Sequence, residues 1–319
     1  MSEAGTGTVG DHWADFLDVA EEAAIAVLAQ VGKGDKVAAD QAAVDGMHRA
    51  FGGLPLSARV VIGEGEMDEA PMLYIGEQLG LGGLECDIAV DPLEGTGLTA
   101  AAQDGAMTVL AAGPKGSLLH APDIYMEKIC AGPAAAGKLR IDAPLEDNVQ
   151  ALAKALSRPT NRLVAAVLDR PRHEEIIAQL RRMGLTVRLL SAGDVGPAVA
   201  TCLPDGDVDL VVGTGGAPEG VLTACAVRAL GGTFCGRLRP ENDTERRRLE
   251  EMFGQDAERP LGIEEIVHSD DVVFAATSVT DSFVGPRPRR QGGGVWLSSL
   301  VVCRSGVRRV CRFVALDEH

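Results

Sequence analysis

The stretch LVAAVLDRPRHEEIIAQLRRMGLTVRLL, residues 163–190, decides the fold class, because it reads as strand, helix, strand. The apolar run at 163–168 predicts a short buried strand, 173–183 a helix, and 186–190 a second strand. Outward from it the alternation continues. A helix is expected near 146–156 on one side; on the other, a helix at 195–202, a strand at 208–212 and a helix at 219–230. Strands alternating with helices imply βαβ units and a largely parallel sheet in this half. The tail differs: 295–303 and 307–315 flank Arg304-Ser305-Gly306 and read as a β-hairpin, after an exposed Pro/Arg/Gly loop at 285–294. Toward the N-terminus, Trp13, Phe16, Leu17, Ala20, Ala24, Val27, Leu28 and Val31 recur at helical spacing, which predicts a helix over 11–31. Gly32 and Gly34 stop it. A second helix is expected at 38–51, with Val44, Met47 and Phe51 facing inward. Short apolar runs at 59–62 and 86–90 read as buried strands that end in polar loops. The expectation is an α/β fold of layered helices and sheets, in two intimately packed lobes at 1–144 and 145–319.

Composition narrows the function classes. The chain has 319 residues, 46% of them apolar, which is enough for a substantial core. No run of about 18 uncharged apolar residues appears, so no membrane span is expected. Glu3, Asp11 and Asp15 stand where a secretory signal carries positive charge, so none is expected. Lys and Arg number 30 against 46 Asp and Glu, a net charge of −16. That field repels nucleic-acid backbones, and 3% aromatic residues offer few platforms for stacking bases. Seven scattered cysteines without a Cys-x-x-Cys pair disfavour a zinc site or a disulfide framework, and reduced thiols in a cytoplasm fit better.

Acidic residues gather after the short strands. Residues 63–69 (GEGEMDE) carry Glu64, Glu66, Asp68 and Glu69; residues 91–96 (DPLEGT) carry Asp91 and Glu94 beside Thr96; residues 213–220 (GTGGAPEG) place Glu219 at a helix start. In open α/β sheets, ligands collect beyond the carboxyl ends of strands. Two like charges at about 4 Å cost on the order of 4 kcal/mol at an effective dielectric of 20. Several such pairs are tolerable only with protons or cations, and oxygen-only ligands select hard ions such as Mg²⁺ or Mn²⁺, two or more of them. Bound cations would also make an acidic protein locally attractive to phosphate. Singly, the segments are weaker signals. Glu219 could be an ordinary first-turn carboxylate, residues 63–66 a solvated loop, and 213–216 lacks the Lys-Ser/Thr of a P-loop. The 91–96 element is the most specific, since its proline fixes a turn and its glycine permits close backbone approach.

Together these segments resemble the lithium-sensitive phosphatase superfamily, and within it the class II fructose-1,6-bisphosphatase family. The resemblance is carried, in order, by Gly34-Asp35-Lys36 with Asp40, then by residues 61–72 (VIGEGEMDEAPM) and 87–96 (DIAVDPLEGT). It continues at 121–128 (APDIYMEK), 170–173 (RPRH) and 215–220 (GGAPEG). It implies a metal-dependent phosphomonoesterase that removes the 1-phosphate of fructose 1,6-bisphosphate, working as a homodimer or homotetramer. By the same resemblance, Asp40, Glu64, Asp91, Glu94 and Glu219 look like metal ligands. Thr96 would orient the attacking water with Asp68 as acid/base partner, supported by Lys36 and Glu66. Tyr125, Arg170, Arg172, Asp194 and the backbone at Gly216, with Glu94, Gly95 and Thr96, would hold the phosphorylated sugar. The chain departs from the family pattern at Ala192, where Asp is usual, at Gly97, where a larger polar residue is usual, at Arg170 for Lys and at Ser278 for Gly. These departures leave the expected ligand set intact and bear on sugar recognition. A heptose or octose bisphosphate is therefore the alternative substrate, and a silent sugar-phosphate-binding regulator the alternative of another class.

Overall fold

The computed structural model describes residues 7–65 and 71–316. The chain divides into two units: Met1–Leu118 together with Ser269–His319, and Leu119–His268 between them. The division differs from the expected boundary at 144/145, and strand pairing gives the reason. Residues 125–131 join the second unit's sheet, whereas the C-terminal hairpin pairs back into the first.

In the first unit, helices α1 (Trp13–Val27) and α2 (Lys36–Gly52) precede strands β1 (Leu56–Ile62), β2 (Gln78–Leu79) and β3 (Leu84–Glu94). Helix α3 (Thr96–Ala100) and strand β4 (Met107–Pro114) follow. After the second unit come β11 (Val273–Ser278), β12 (Arg289–Gln291), β13 (Gly294–Cys303) and β14 (Gly306–Ala315), numbered in chain order. The sheet runs β12-β13-β11-β4-β3-β1-β2, with β14 on β13. Helix α1 lies on β4, β11 and β13. Phe16, Leu17 and Ala20 of α1 share one buried cluster with Leu110, Ala112, Ala275 and Val301, as the helical spacing anticipates, and Val19 and Ala23 join them. The helix is shorter than expected; it ends at Val27, and turns carry the chain on to α2. Asp35 caps α2 by accepting the Ala38 N–H at 3.0 Å. Gly46 lets α1 and α2 approach closely, because a Cβ there would sit 2.8 Å from the Ala26 Cβ.

The second unit contains β5 (Tyr125–Ala131), α4 (Leu145–Leu156), β6 (Val164–Leu168), α5 (Glu174–Arg182), β7 (Thr186–Leu190) and α6 (Val195–Ala200). Then come β8 (Leu210–Gly216), α7 (Ala217–Ala229), β9 (Thr233–Arg239), α8 (Asp243–Phe253), β10 (Leu261–Gly262) and α9 (Ile263–Ile266). Its sheet runs β10-β9-β5-β8-β6-β7. The expected parallel sheet needs correction. Only β6 with β7 and β6 with β8 pair in parallel, and β5 pairs antiparallel with both β8 and β9. Two reversals cancel, so β9 runs in the same direction as β8. The three strands the alternation predicts, β6, β7 and β8, are parallel to one another as expected. The alternation missed β5, a reversed strand inserted between β8 and β9, and also β9 and β10. Ile129 and Ala131 of β5 face a core built with α4 and α5. Met126 and Lys128 face the other way; a Cβ on Gly220 of α7 would lie 2.6 Å from the Met126 sulfur. Among the described residues no helix is long and apolar enough to cross a membrane.

Candidate active site

The acidic element in the first unit is built by a fault in a strand. Strand β3 does not stop at Val90 as expected; it continues to Glu94. Asp91 pairs with Val109 of β4 and Glu94 with Met107, so three steps along β3 match two along β4. This is a β-bulge. Its cause is local: Pro92 has no N–H for the ladder, and the Leu93 N–H turns inward to donate to Asp91 Oδ1 at 3.1 Å. In a regular strand, residues three apart point to opposite faces; one extra residue reverses the phase. Asp91 and Glu94 thus bring carboxylate oxygens within 4.8 Å of one another. Glu94 is buried, with 5% of its surface exposed.

Gly95, at φ 86°, takes the left-handed turn that starts α3, which a side chain would resist. Thr96 opens the helix. Its hydroxyl proton lies between the Leu93 carbonyl at 3.1 Å and Asp40 Oδ1 at 3.3 Å. Asp40 projects from α2, and burial pushes its carboxyl above the usual carboxylate range, an effect the Thr96 hydrogen bond partly offsets. Lys36 begins the same helix and is exposed. A Cβ on Gly97 would lie 3.7 Å from its Nζ, so the ammonium reaches the first turn of α3. The loop ahead of α2 is tied there too, by Gly32 and Gly34 N–H donating to the Thr99 and Ala100 carbonyls, each at 2.9 Å. Glu64 follows β1, half-buried, with its N–H donating to the Leu73 carbonyl at 3.0 Å. Among the described residues, Asp40 and Glu64 are not drawn into so tight a group as Asp91 and Glu94. Glu66 and Asp68 lie outside the described residues.

In the second unit, β8 ends at Gly216 and α7 begins at once, with Pro218 and Glu219 in its first turn. Glu219 folds back over the helix start. A Cβ on Gly216 would lie 1.9 Å from Glu219 Oε2, which explains the glycine. That oxygen is buried and, among the described residues, meets no hydrogen-bond partner. Burial pushes the carboxyl upward, with Lys128 opposing the shift and Asp194 and Asp123 adding to it. Lys128 and Asp194 form a buried ion pair at 2.8 Å. A Cβ on Gly215 would meet Asp194 Oδ2 at 2.6 Å, so that glycine makes room for the pair. Asp123, Tyr125, Gly216, Glu219, Glu241 and Glu245 line a cavity of about 300 Å³.

Nearby cations are held by the backbone. The Arg172 guanidinium lies 4.6 Å from the Tyr125 ring centroid and donates to the Thr214 carbonyl at 3.2 and 2.9 Å. Arg170 donates to the Asp169 and Ser191 carbonyls at 2.8 and 2.9 Å. Only part of each fork is engaged, because a guanidinium has five N–H donors. Sequence reading did not single out Lys128 or Asp123. Lys128 had a signal: it stands between Met126 and Cys130 on the face of β5 where only apolar side chains are expected. Ser278, one of the departures, is buried and bonds the Ser282 hydroxyl at 2.9 Å and the Gly285 carbonyl at 3.0 Å, pinning a surface loop.

Comparison with known proteins agrees with this constellation. Residues 11–316 match the family described as bacterial fructose-1,6-bisphosphatase, glpX-encoded. Fructose-1,6-bisphosphatase 1 class 2 of Escherichia coli K12 is 44% identical over 279 residues, covering 83% of each chain. A Synechococcus protein named D-fructose 1,6-bisphosphatase class 2/sedoheptulose 1,7-bisphosphatase is 41% identical over 325 residues, covering 94% of this chain and 93% of its own.

Proposed function

This chain belongs to the bacterial, glpX-encoded fructose-1,6-bisphosphatase family, and from that premise we propose that it hydrolyses the 1-phosphate of fructose 1,6-bisphosphate, giving fructose 6-phosphate and phosphate. It is a phosphoric monoester hydrolase. The observation that carries the site assignment is the bulge in β3, which turns Asp91 and Glu94 to one side beside Thr96. A carboxylate pair so close fits a site completed by divalent cations. Asp40, Glu64, Asp91 and Glu94 would hold divalent cations, two or more Mg²⁺ or Mn²⁺ in the reading the family resemblance implies, and that reading also counts Glu219 as a ligand. When bound, such ions lower the pKa of the attacking water and stabilise the leaving alkoxide.

The chain's own groups do the rest. With its proton committed to Asp40 or to the Leu93 carbonyl, the Thr96 oxygen presents lone pairs that accept a hydrogen bond from the water and aim it at phosphorus. Asp68 takes up the water's proton, and Glu66 supports the cluster. Lys36 places positive charge beside the first turn of α3, where it offsets the carboxylates. Arg170 and Arg172 bind the distal phosphate with the donors their carbonyl anchors leave over. Tyr125, Asp194, Gly95 and the Gly216 backbone hold the sugar.

The relatives reported above are named as hydrolases, which gives no support to the silent regulator or to an octose bisphosphate. The seven-carbon bisphosphate stays a test substrate, because one relative carries both names. Phosphate-release kinetics on six-, seven- and eight-carbon bisphosphates test the assignment. The largest kcat/KM is expected for the hexose; a value far below that of another sugar rejects fructose 1,6-bisphosphate as the substrate. The same reading makes the chain a cytoplasmic homodimer or homotetramer, which light scattering on the purified protein tests.

A further inference from the structure

We propose that His173 is a positioning residue for Arg172: its imidazole stands in for a missing strand at the open edge of β8 and fixes the Thr214 carbonyl that the guanidinium clamps. The inference rests on the reading of Arg172 as a distal-phosphate ligand. The register sets the problem. Strand β5 covers one edge of β8 from Leu210 to Gly216, but β6 pairs with the other edge only at Leu210 and Val211. Beyond Val211 no strand is paired with that edge of β8, and buried backbone groups left unpaired cost free energy.

The RPRH turn supplies what the strand does not. His173, 1% exposed at the start of α5, accepts the Thr214 N–H on Nε2 at 2.8 Å. Its Nδ1 lies 2.7 Å from the Leu168 carbonyl at the end of β6. A carbonyl only accepts, so the proton sits on Nδ1, and Nε2 is the bare acceptor. This is the neutral imidazole; a second proton would point N–H against N–H at Thr214. Burial keeps the group neutral, with Arg172 and Arg170 acting in the same direction and the Leu168 carbonyl and Asp194 against it. Gly213 completes the arrangement. A Cβ there would lie 3.0 Å from Nε2, and its φ of 147° is one that side chains rarely adopt. Thr214 is therefore held by its N–H through His173 and by its carbonyl through Arg172, two consecutive residues of one turn. Nothing in this arrangement requires His173 to touch substrate.

The experiment compares His173→Phe, Arg172→Ala and the double variant in steady-state hydrolysis of fructose 1,6-bisphosphate by the metal-loaded enzyme. His173→Phe is expected to raise KM about tenfold with kcat within about twofold, and the double variant to add nothing beyond Arg172→Ala. His173→Gln, which keeps a donor and an acceptor, is expected to recover part of the loss. An unchanged KM in His173→Phe beside a raised KM in Arg172→Ala overturns the positioning role and leaves the arginine reading standing. An unchanged KM in Arg172→Ala removes the phosphate role of that arginine and this inference with it. Additive effects in the double variant also overturn the inference. Should His173→Phe not fold, nitrogen NMR of the unmodified protein decides: a neutral ring protonated on Nδ1 is expected, and an Nε2–H tautomer or a charged ring at pH 7 contradicts the clamp.

Discussion

The acidic group in the first unit and the basic group in the second solve opposite problems. Asp91 and Glu94 are forced together by a strand bulge and stand close enough to repel. Arg170 and Arg172 are spread over carbonyl oxygens, and Lys128 is matched by Asp194. Protein atoms anchor the basic groups, and the fold brings the acidic pair to within 4.8 Å. The difference teaches where each kind of energy is held. Electrostatic strain is stored at the proposed metal site, and preorganisation at the proposed phosphate site.

Substitutions can break this contrast. Asp91→Asn removes a charge that the bulge exists to place, and is expected to lower kcat/KM about ten-thousandfold, ~5.5 kcal/mol. Near-native turnover in that variant would take Asp91 off the ligand list. Lys128→Met leaves Asp194 buried without its partner and is expected to cost about 3–5 kcal/mol of folding stability in urea unfolding. A loss below about 1 kcal/mol would mean that the second unit does not depend on its internal pair. Adding Mg²⁺ or Mn²⁺ at about 100 times its Kd should stabilise the protein by about 2.7 kcal/mol, read as a rise in Tm that chelator reverses. No shift under any divalent ion would remove the electrostatic role given to the acidic group. Arg172→Ala, in a region already satisfied by the chain, should act on binding alone. KM is expected to rise about tenfold, ~1.4 kcal/mol, with kcat little changed; a fall in kcat at constant KM would place the arginine at the reacting phosphate instead.

Much of this was legible in the residues, and the failures share a cause. Helical spacing located α1 through Phe16 and Ala20, and the strand and helix alternation from 163 onward found β6 to α7. The site segments could be read because their glycines and prolines record local backbone demands: Gly95 a left-handed turn, Pro92 a break in the ladder, Gly216 the room Glu219 occupies. Strand β5 was not legible, since Tyr125, Glu127 and Lys128 make it look like a polar loop, and its polar groups are balanced only by distant partners such as Arg237 and Asp194. Missing β5, β9 and β10 turned a mixed sheet into an apparently parallel one, and β5 lies ahead of the expected 144/145 boundary. Likewise, Asp91-Pro92 reads as the end of a strand, because a bulge is a relation between two strands and leaves little trace in one. His173 was visible within its motif, but its role depends on how far β6 accompanies β8, which no single segment reveals.

Phosphate release from fructose 1,6-bisphosphate, followed with Mg²⁺ or Mn²⁺ and then with excess chelator, tests the central claim most directly. Turnover that appears with the ion, stops with chelator and returns when the ion is restored is the predicted result. Turnover indifferent to chelator, or none with either ion, would contradict it.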